Sequence, residues 1–112
     1  MNTEFTGNIN ADCEKIAETV ARALAFLSSK SSDSDTLSQS RRHLEQLNAA
    51  YPNNIPIAYA YGEGLLCYAE NLRERGSIVI YMEMEEKLNA LAEKYPDEGN
   101  VTLWARLLHE GK

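Results

Sequence analysis

Residues 55–69 read IPIAYAYGEGLLCYA, and Glu63 is the one charged side chain among them. A segment this apolar, yet too short to span a bilayer, is predicted to be a helix at the centre of a small domain. Pro56 suits a first helical turn, and Gly76 closes the pattern after Leu72, Arg73, Glu74 and Arg75, which places the central helix over residues 56–75. Ile57, Tyr61, Gly64, Leu65, Tyr68 and Leu72 share one stripe at helical spacing. Tyr59, Glu63, Leu66 and Glu70 share nearly the opposite stripe, so both faces have something to pack or to bind. Gly62 and Gly64 each cost roughly 1 kcal/mol of helix propensity relative to Ala, which makes sense where a neighbouring backbone must come close.

The flanking sequence supplies helices to surround this one. Residues 1–9 are polar and expected to fray. Asn10 is a candidate N-cap, with Asp12 and Glu14 in a favourable first turn, and Cys13, Ile16, Val20, Leu24 and Leu27 carry an apolar stripe over about residues 11–27. The serine-rich run SSKSSDSD, residues 28–35, has nothing to bury and reads as a loop. Ser34 or Asp35 can cap a second helix with Leu37, Leu44, Leu47 and Tyr51 on its stripe and Arg41, Arg42 and Glu45 off it; Pro52 stops it. Ser77 can cap a fourth helix. Ile78, Val79 and Ile80 are β-branched, but Tyr81, Met84, Leu88, Leu91 and Tyr95 follow helical spacing. Glu83, Glu85 and Glu86 lie off that stripe, and Glu83 pairs with Lys87 at i,i+4. Pro96 breaks the helix, and a short fifth one over residues 101–108 contains Trp104. The fold class is therefore all-α: about five helices stacked as antiparallel hairpins, in one domain over residues 1–112. Its predicted core includes Ile16, Val20, Leu24, Leu44, Leu47, Ile57, Tyr61, Leu65, Tyr68, Leu88, Leu91 and Trp104.

Two stretches match at an offset of 44 residues: Leu44, Leu47, Tyr51 and Pro52 answer to Leu88, Leu91, Tyr95 and Pro96, and Ile57 to Val101. One helical hairpin cannot cover its own apolar face, so such a repeat marks stacked hairpins. Over residues 37–108 the chain resembles tetratricopeptide-type repeats. Pro52 stands where such a repeat ends its second helix, Gly62 where the next helix is closely approached, and Leu44 at a large hydrophobic position before them. The departures are a period of 44 rather than about 34 residues and Arg106 where the second glycine would fall. The resemblance implies a right-handed array of hairpins that presents a surface to a partner protein.

Bulk composition narrows the chemistry. A chain of 112 residues, 44% hydrophobic and 25% charged, has the makings of one soluble domain. Its net charge of -6 speaks against nucleic acid, since phosphate binding needs a basic footprint. Neither a basic, hydrophobic leader nor a membrane-length apolar run is visible, and Cys13 and Cys67 read as buried reduced thiols, so a cytoplasmic setting is expected. His43 and His109 have no ligand partner at i+3 or i+4 and read as surface residues, leaving no metal site and no cofactor. MEMEEK resembles the clustered carboxylates of helical metal-dependent hydrolases, but no second acidic motif answers Glu83, Glu85 and Glu86; a solvated helix face is the simpler reading. No phosphate loop, nucleophile elbow or paired-cysteine motif is present.

These observations favour a non-enzymatic protein-interaction module, open to self-association through the ends of its array. A second reading is a dedicated acidic inhibitor, such as an immunity protein that blocks the basic site of a bacterial nuclease toxin. A metal-dependent hydrolase using Glu83, Glu85 and Glu86 is the third. Candidate partner-binding residues are Tyr59, Glu63, Leu66, Glu70, Glu83, Glu85, Glu86 and Trp104. Tyrosine and tryptophan combine apolar area with a hydrogen-bonding tip, although each of these could equally pack inward.

Overall fold

Every regular element is a helix among residues 5–111, the part of the chain that the computed structural model describes. In order these are α1 (Ile9–Ser28), α2 (Ser34–Ala50), α3 (Ile55–Glu74), α4 (Ile78–Lys94) and α5 (Gly99–Glu110). The short connections between them make sequential neighbours antiparallel. α3 touches all four other helices; α1 also meets α2, and α5 also meets α4. α1, α3 and α5 therefore form one row, with α2 and α4 seated in the two notches on its far side. The Cα extents of 40 × 33 × 16 Å fit two helix layers about 8–10 Å apart.

Local chemistry explains each boundary. The Asn8 side chain accepts hydrogen bonds from the Asn10 and Ala11 N–H groups, Asp33 from Thr36, and Asn54 from Ile57. Those side chains satisfy donors that the first helical turn leaves without partners. Asn71, buried on α3, serves the opposite end of α1 by donating from Nδ2 to the carbonyls of Leu27 and Ser29 at 3.1 and 2.8 Å. The Tyr81 hydroxyl likewise donates to the Leu108 carbonyl at 2.6 Å near the end of α5. At the end of α3 the chain reverses at Gly76, whose φ of 78° lies in the left-handed region that glycine enters without strain. Tyr51 and Tyr95 terminate α2 and α4 with nearly the same backbone, φ/ψ of -129/70° and -124/65°.

The larger core joins Leu27 of α1, Leu37 and Leu44 of α2, Tyr61, Leu65, Tyr68 and Leu72 of α3, Tyr81, Met84, Leu88 and Leu91 of α4, and Val101 and Leu108 of α5. A smaller cluster of Leu47, Tyr51 and Ile57 is closed by Phe5, Ile16 and Val20. Ile16, Val20, Leu24 and Trp104, expected in the core, line its margins and are half-buried.

Several boundaries and burials differ from expectation, most of them at the N-terminus. Fraying was expected over residues 1–9. Residues 1–4 lie outside the described part, but Phe5 packs edge-on against Tyr51 with ring centroids 6.3 Å apart. Thr6 donates its backbone N–H to Asp12 Oδ2 at 2.7 Å. α1 thus begins two residues early, capped by Asn8 rather than Asn10. The inward face runs through Asp12, not Cys13: Asp12 is buried and takes the Tyr51 hydroxyl hydrogen bond, whereas Cys13 is exposed. A carboxylate with three donors waiting for it outweighs the apolar preference of a thiol. Asp33, rather than Ser34 or Asp35, caps α2, and the loop before it shrinks to residues 29–33.

Candidate protein-binding surface

The α3 stripe of Tyr59, Glu63, Leu66 and Glu70 points away from the layer of α2 and α4, because Tyr61, Leu65, Tyr68 and Leu72 occupy the inward side. Tyr59, Glu63 and Leu66 are half-buried and Glu70 is exposed. At one end the Tyr59 ring meets Trp104 of α5 edge-to-face, with centroids 4.9 Å apart and planes at 62°. Asn100 donates from Nδ2 to the Tyr59 hydroxyl at 3.4 Å. Trp104 reaches this position by lying across Gly62, where an added Cβ would come within 3.3 Å of the indole. Leu103 and Leu107, on the same side of α5, are 47% and 44% exposed. An aromatic pair, two exposed leucines and two carboxylates thus share the outward face of the α3–α5 seam.

At the other end of the stripe Cys67 lies among Ser28, Lys30, Glu70, Asn71 and Glu74, around a hollow of about 140 Å³. Burial pushes its thiol above the usual range, and the charges of Glu63 and Glu70 push it further. Lys30 and Glu74 close the rim with an ion pair of 3.1 Å.

The three α4 glutamates are not one group. Glu83 and Glu86 are exposed, while Glu85 is only 5% exposed and lies 3.0 Å from Nδ1 of His109 on α5. The expectation that Glu85 faces a partner is therefore corrected: the rotation of about 100° from one helical residue to the next turns it into the α4–α5 seam, away from Glu83 and Glu86. His109 is held by that contact although its ring remains exposed. Among the described residues no three His, Cys, Asp or Glu side chains are placed to hold a metal ion.

Sequence reasoning missed one polar cluster. Glu45 of α2 accepts from Arg41 at 2.8 Å, from the Tyr61 hydroxyl at 3.1 Å, and pairs with Lys87 of α4 at 3.3 Å. Lys87 thus serves Glu45 rather than the expected i,i+4 partner Glu83. Burial works against the Glu45 carboxylate, but the Arg41 and Lys87 cations outweigh it and hold its pKa below the ordinary value. The Tyr61 hydroxyl is pushed up by burial and then by Glu45. The cluster bridges α2 and α4, whose backbones do not touch, and no spacing rule connects residues 45 and 87.

The candidate residues therefore divide by face. Tyr59, Glu63, Leu66, Glu70 and Trp104 come together on the row of α1, α3 and α5; Glu83 and Glu86 stand apart on α4; Glu85 is internal. Comparison with known protein families, curated proteins and solved structures finds no match.

Proposed function

We propose that the protein is a non-enzymatic protein-binding module of tetratricopeptide-like hairpins, which grips its partner with the outward face of the α1–α3–α5 row. The observation that carries this reading is the half-exposed Tyr59–Trp104 pair, bordered by Leu103, Leu107 and Glu63. Aromatic anchors ringed by less committed groups are where interfaces concentrate their free energy. Leu66 extends the apolar area along α3, and Glu63 and Glu70 favour a partner that brings Lys or Arg beside its apolar anchors. A cytoplasmic setting belongs to the same proposal. It is supported by the free thiols of Cys13 and Cys67, and no described helix is long and apolar enough to cross a membrane.

The dedicated-inhibitor reading is favoured by one specific feature: Glu63 and Glu70 lie on the same stripe as the aromatic anchor, in a chain of net charge -6. The two readings differ in salt dependence. Partner captured on the immobilised chain is titrated calorimetrically at low and high ionic strength. A single basic partner whose affinity falls steeply with salt supports the inhibitor; several peptides bound with little salt dependence support the adaptor. In either case Tyr59→Ala and Trp104→Ala should weaken binding by about tenfold or more, as loss of interface anchors does. Wild-type affinity in both variants would refute the assigned face. Stoichiometric binding of Mg²⁺ or Mn²⁺, lost on changing Glu83 and Glu86, would instead revive the hydrolase.

A further inference from the structure

The end of the array formed by α4 and α5 carries a groove whose lining answers, at the offset of 44 residues, to an internal junction of the same chain. At that junction α4 lies against α3 and reaches α2 through side chains. Lys87 pairs with Glu45, Leu91 lies against Gly62, and Lys94 and Tyr95 donate to the Pro52 carbonyl. Moved on by 44 positions, Glu45, Pro52, Tyr61, Gly62 and Leu65 become Asn89, Pro96, Ala105, Arg106 and His109, all of which line the end groove. The groove continues past Asn89 and His109 along Val79, Met82, Glu83 and Glu86, and its two parts open about 600 and 710 Å³. The chain has thus built a helix-receiving notch a second time and changed its chemistry. Tyr61 becomes Ala105, which deepens it, and Glu83, Glu86 and Glu93 make its α4 wall acidic. Val79 and Met82, 77% and 51% exposed, supply apolar area at its mouth.

The opposite end of the array, where α1 and α2 face outward, has the complementary character. Phe26 is 42% exposed there, in a hollow of about 230 Å³ shared with Arg22, Thr36, Gln39 and His43. Arg22 is braced by Glu18 at 2.9 Å, and Arg42, next to His43 in the chain, stands exposed. Burial lowers the His43 pKa, and the nearby Arg22 and Arg42 cations lower it further, a sign of positive field at this end.

We propose that the end groove of one copy receives the α1–α2 end of a second copy, Phe26 meeting Val79 and Met82 while Arg22 and Arg42 meet Glu83, Glu86 and Glu93. The contact uses neither Tyr59 nor Trp104, so it stands apart from the partner-binding face. Its two surfaces differ, which makes the interface heterologous: each added copy leaves one end of each kind exposed, and assembly grows with concentration.

Sedimentation velocity on the full chain tests this, over roughly 5–500 µM protein at low and at high salt. The expected result is a weight-average mass that climbs with concentration and falls back with salt. Glu86→Lys with Glu93→Lys spoils the groove, and Arg22→Glu with Arg42→Glu spoils the other end. Each double variant alone should self-associate at least about tenfold more weakly, the loss expected when facing charges become like charges. Mixed, the two variants should associate again, because one pair of surfaces is unaltered and in the other the new lysines face the new glutamates. A wild type that stays monomeric throughout, or variants that associate as the wild type does, would overturn the proposal. A mixture that does not associate would do so as well. Circular dichroism establishes that each variant is folded, and Glu86→Gln with Glu93→Gln, expected to weaken association several-fold, replaces a lysine variant that is not.

Discussion

Gly62 and Gly64 sit two residues apart on α3, yet replacing each with alanine should have opposite consequences. In both cases alanine gains about 1 kcal/mol of intrinsic helix propensity. What it meets differs. At position 64 a Cβ would stand 2.3 Å from Leu44 Cδ1 and 3.2 Å from Leu27 Cδ1. Leu44 and Leu27 are 1% and 0% exposed, so Leu44 must leave its rotamer in a packed core. Overpacking of that kind costs about 1–3 kcal/mol, and the depth of this overlap puts it in the upper part of that range. The net effect of Gly64→Ala is a loss of about 1–2 kcal/mol, or roughly 4–8 °C in Tm for a domain of this size. At position 62 the new Cβ would meet Leu91 Cδ2 at 3.1 Å and the Trp104 ring at 3.3 Å. Trp104 is half-buried and can withdraw by a few tenths of an ångström, so Gly62→Ala should leave stability unchanged or raise it by up to about 1 kcal/mol. Urea and thermal unfolding followed by circular dichroism measure both, and fluorescence of Trp104, the chain's one tryptophan, reports whether the indole moves. A Gly64→Ala variant as stable as the wild type would refute the close α2–α3 approach on which the central-helix account rests.

Four further outcomes rest on contacts elsewhere in the fold. Leu65 is wholly buried where α3 joins the other helices, so Leu65→Ala should cost about 2–5 kcal/mol in urea unfolding; an unchanged midpoint would be inconsistent with that place. The Asp12 pKa is lowered by the Tyr51 hydroxyl, against burial and with help from Thr6, so its stabilisation is complete above 3.8 and is lost as pH falls through the lower folded value. Asp12→Asn should therefore flatten the acid limb of the stability–pH profile below about pH 4. Tyr51 is pushed from 10 up to about 12 by burial and by Asp12, so its contribution is present below pH 10 and lost as pH rises towards the folded value; Tyr51→Phe should flatten that alkaline limb. With a disulfide reagent near neutral pH, the exposed Cys13 should react in a fast phase. Cys67, whose thiol is held protonated by burial and by Glu63 and Glu70, should follow at least about tenfold more slowly. Equal rates would place Cys67 at the surface.

The helices themselves were legible because each has a local cause. Apolar spacing of three and four residues marked α1 to α4. Pro52 and Pro96 ended α2 and α4, and Gly76 turned the chain after α3. The outward stripe of Tyr59, Glu63, Leu66 and Glu70 was legible for the same reason, since one helix determines which of its own residues share a face. What α3 packs against on that face is a property of other helices, and periodicity could not show that Trp104 would lie across Gly62 to complete an aromatic pair. The glycines suggested close approach, and the structure specifies side chains, Leu44 and Leu27 on one flank and Leu91 and Trp104 on the other, rather than backbone.

Polar residues divide in the same way. Read along one helix, Asp12 and Glu85 are solvated charges and Cys13 is a core thiol. The fold reverses all three, because the donors that make burial of a carboxylate tolerable arrive from elsewhere: Tyr51 just after α2, Thr6 before α1, and His109 on α5. Glu45 joined to Lys87 and Tyr61 is a third case, in which residues 16 and 42 positions away decide what one carboxylate does. By itself, then, the sequence determined that there are five helices, to within a few residues where each lies, and the broad apolar side of each, since backbone sterics and apolar periodicity act within a few residues. Only the tertiary structure decided which charges are buried, which aromatics pair and which end surfaces stay open, because desolvation and hydrogen bonding depend on neighbours that meet only when the helices stack.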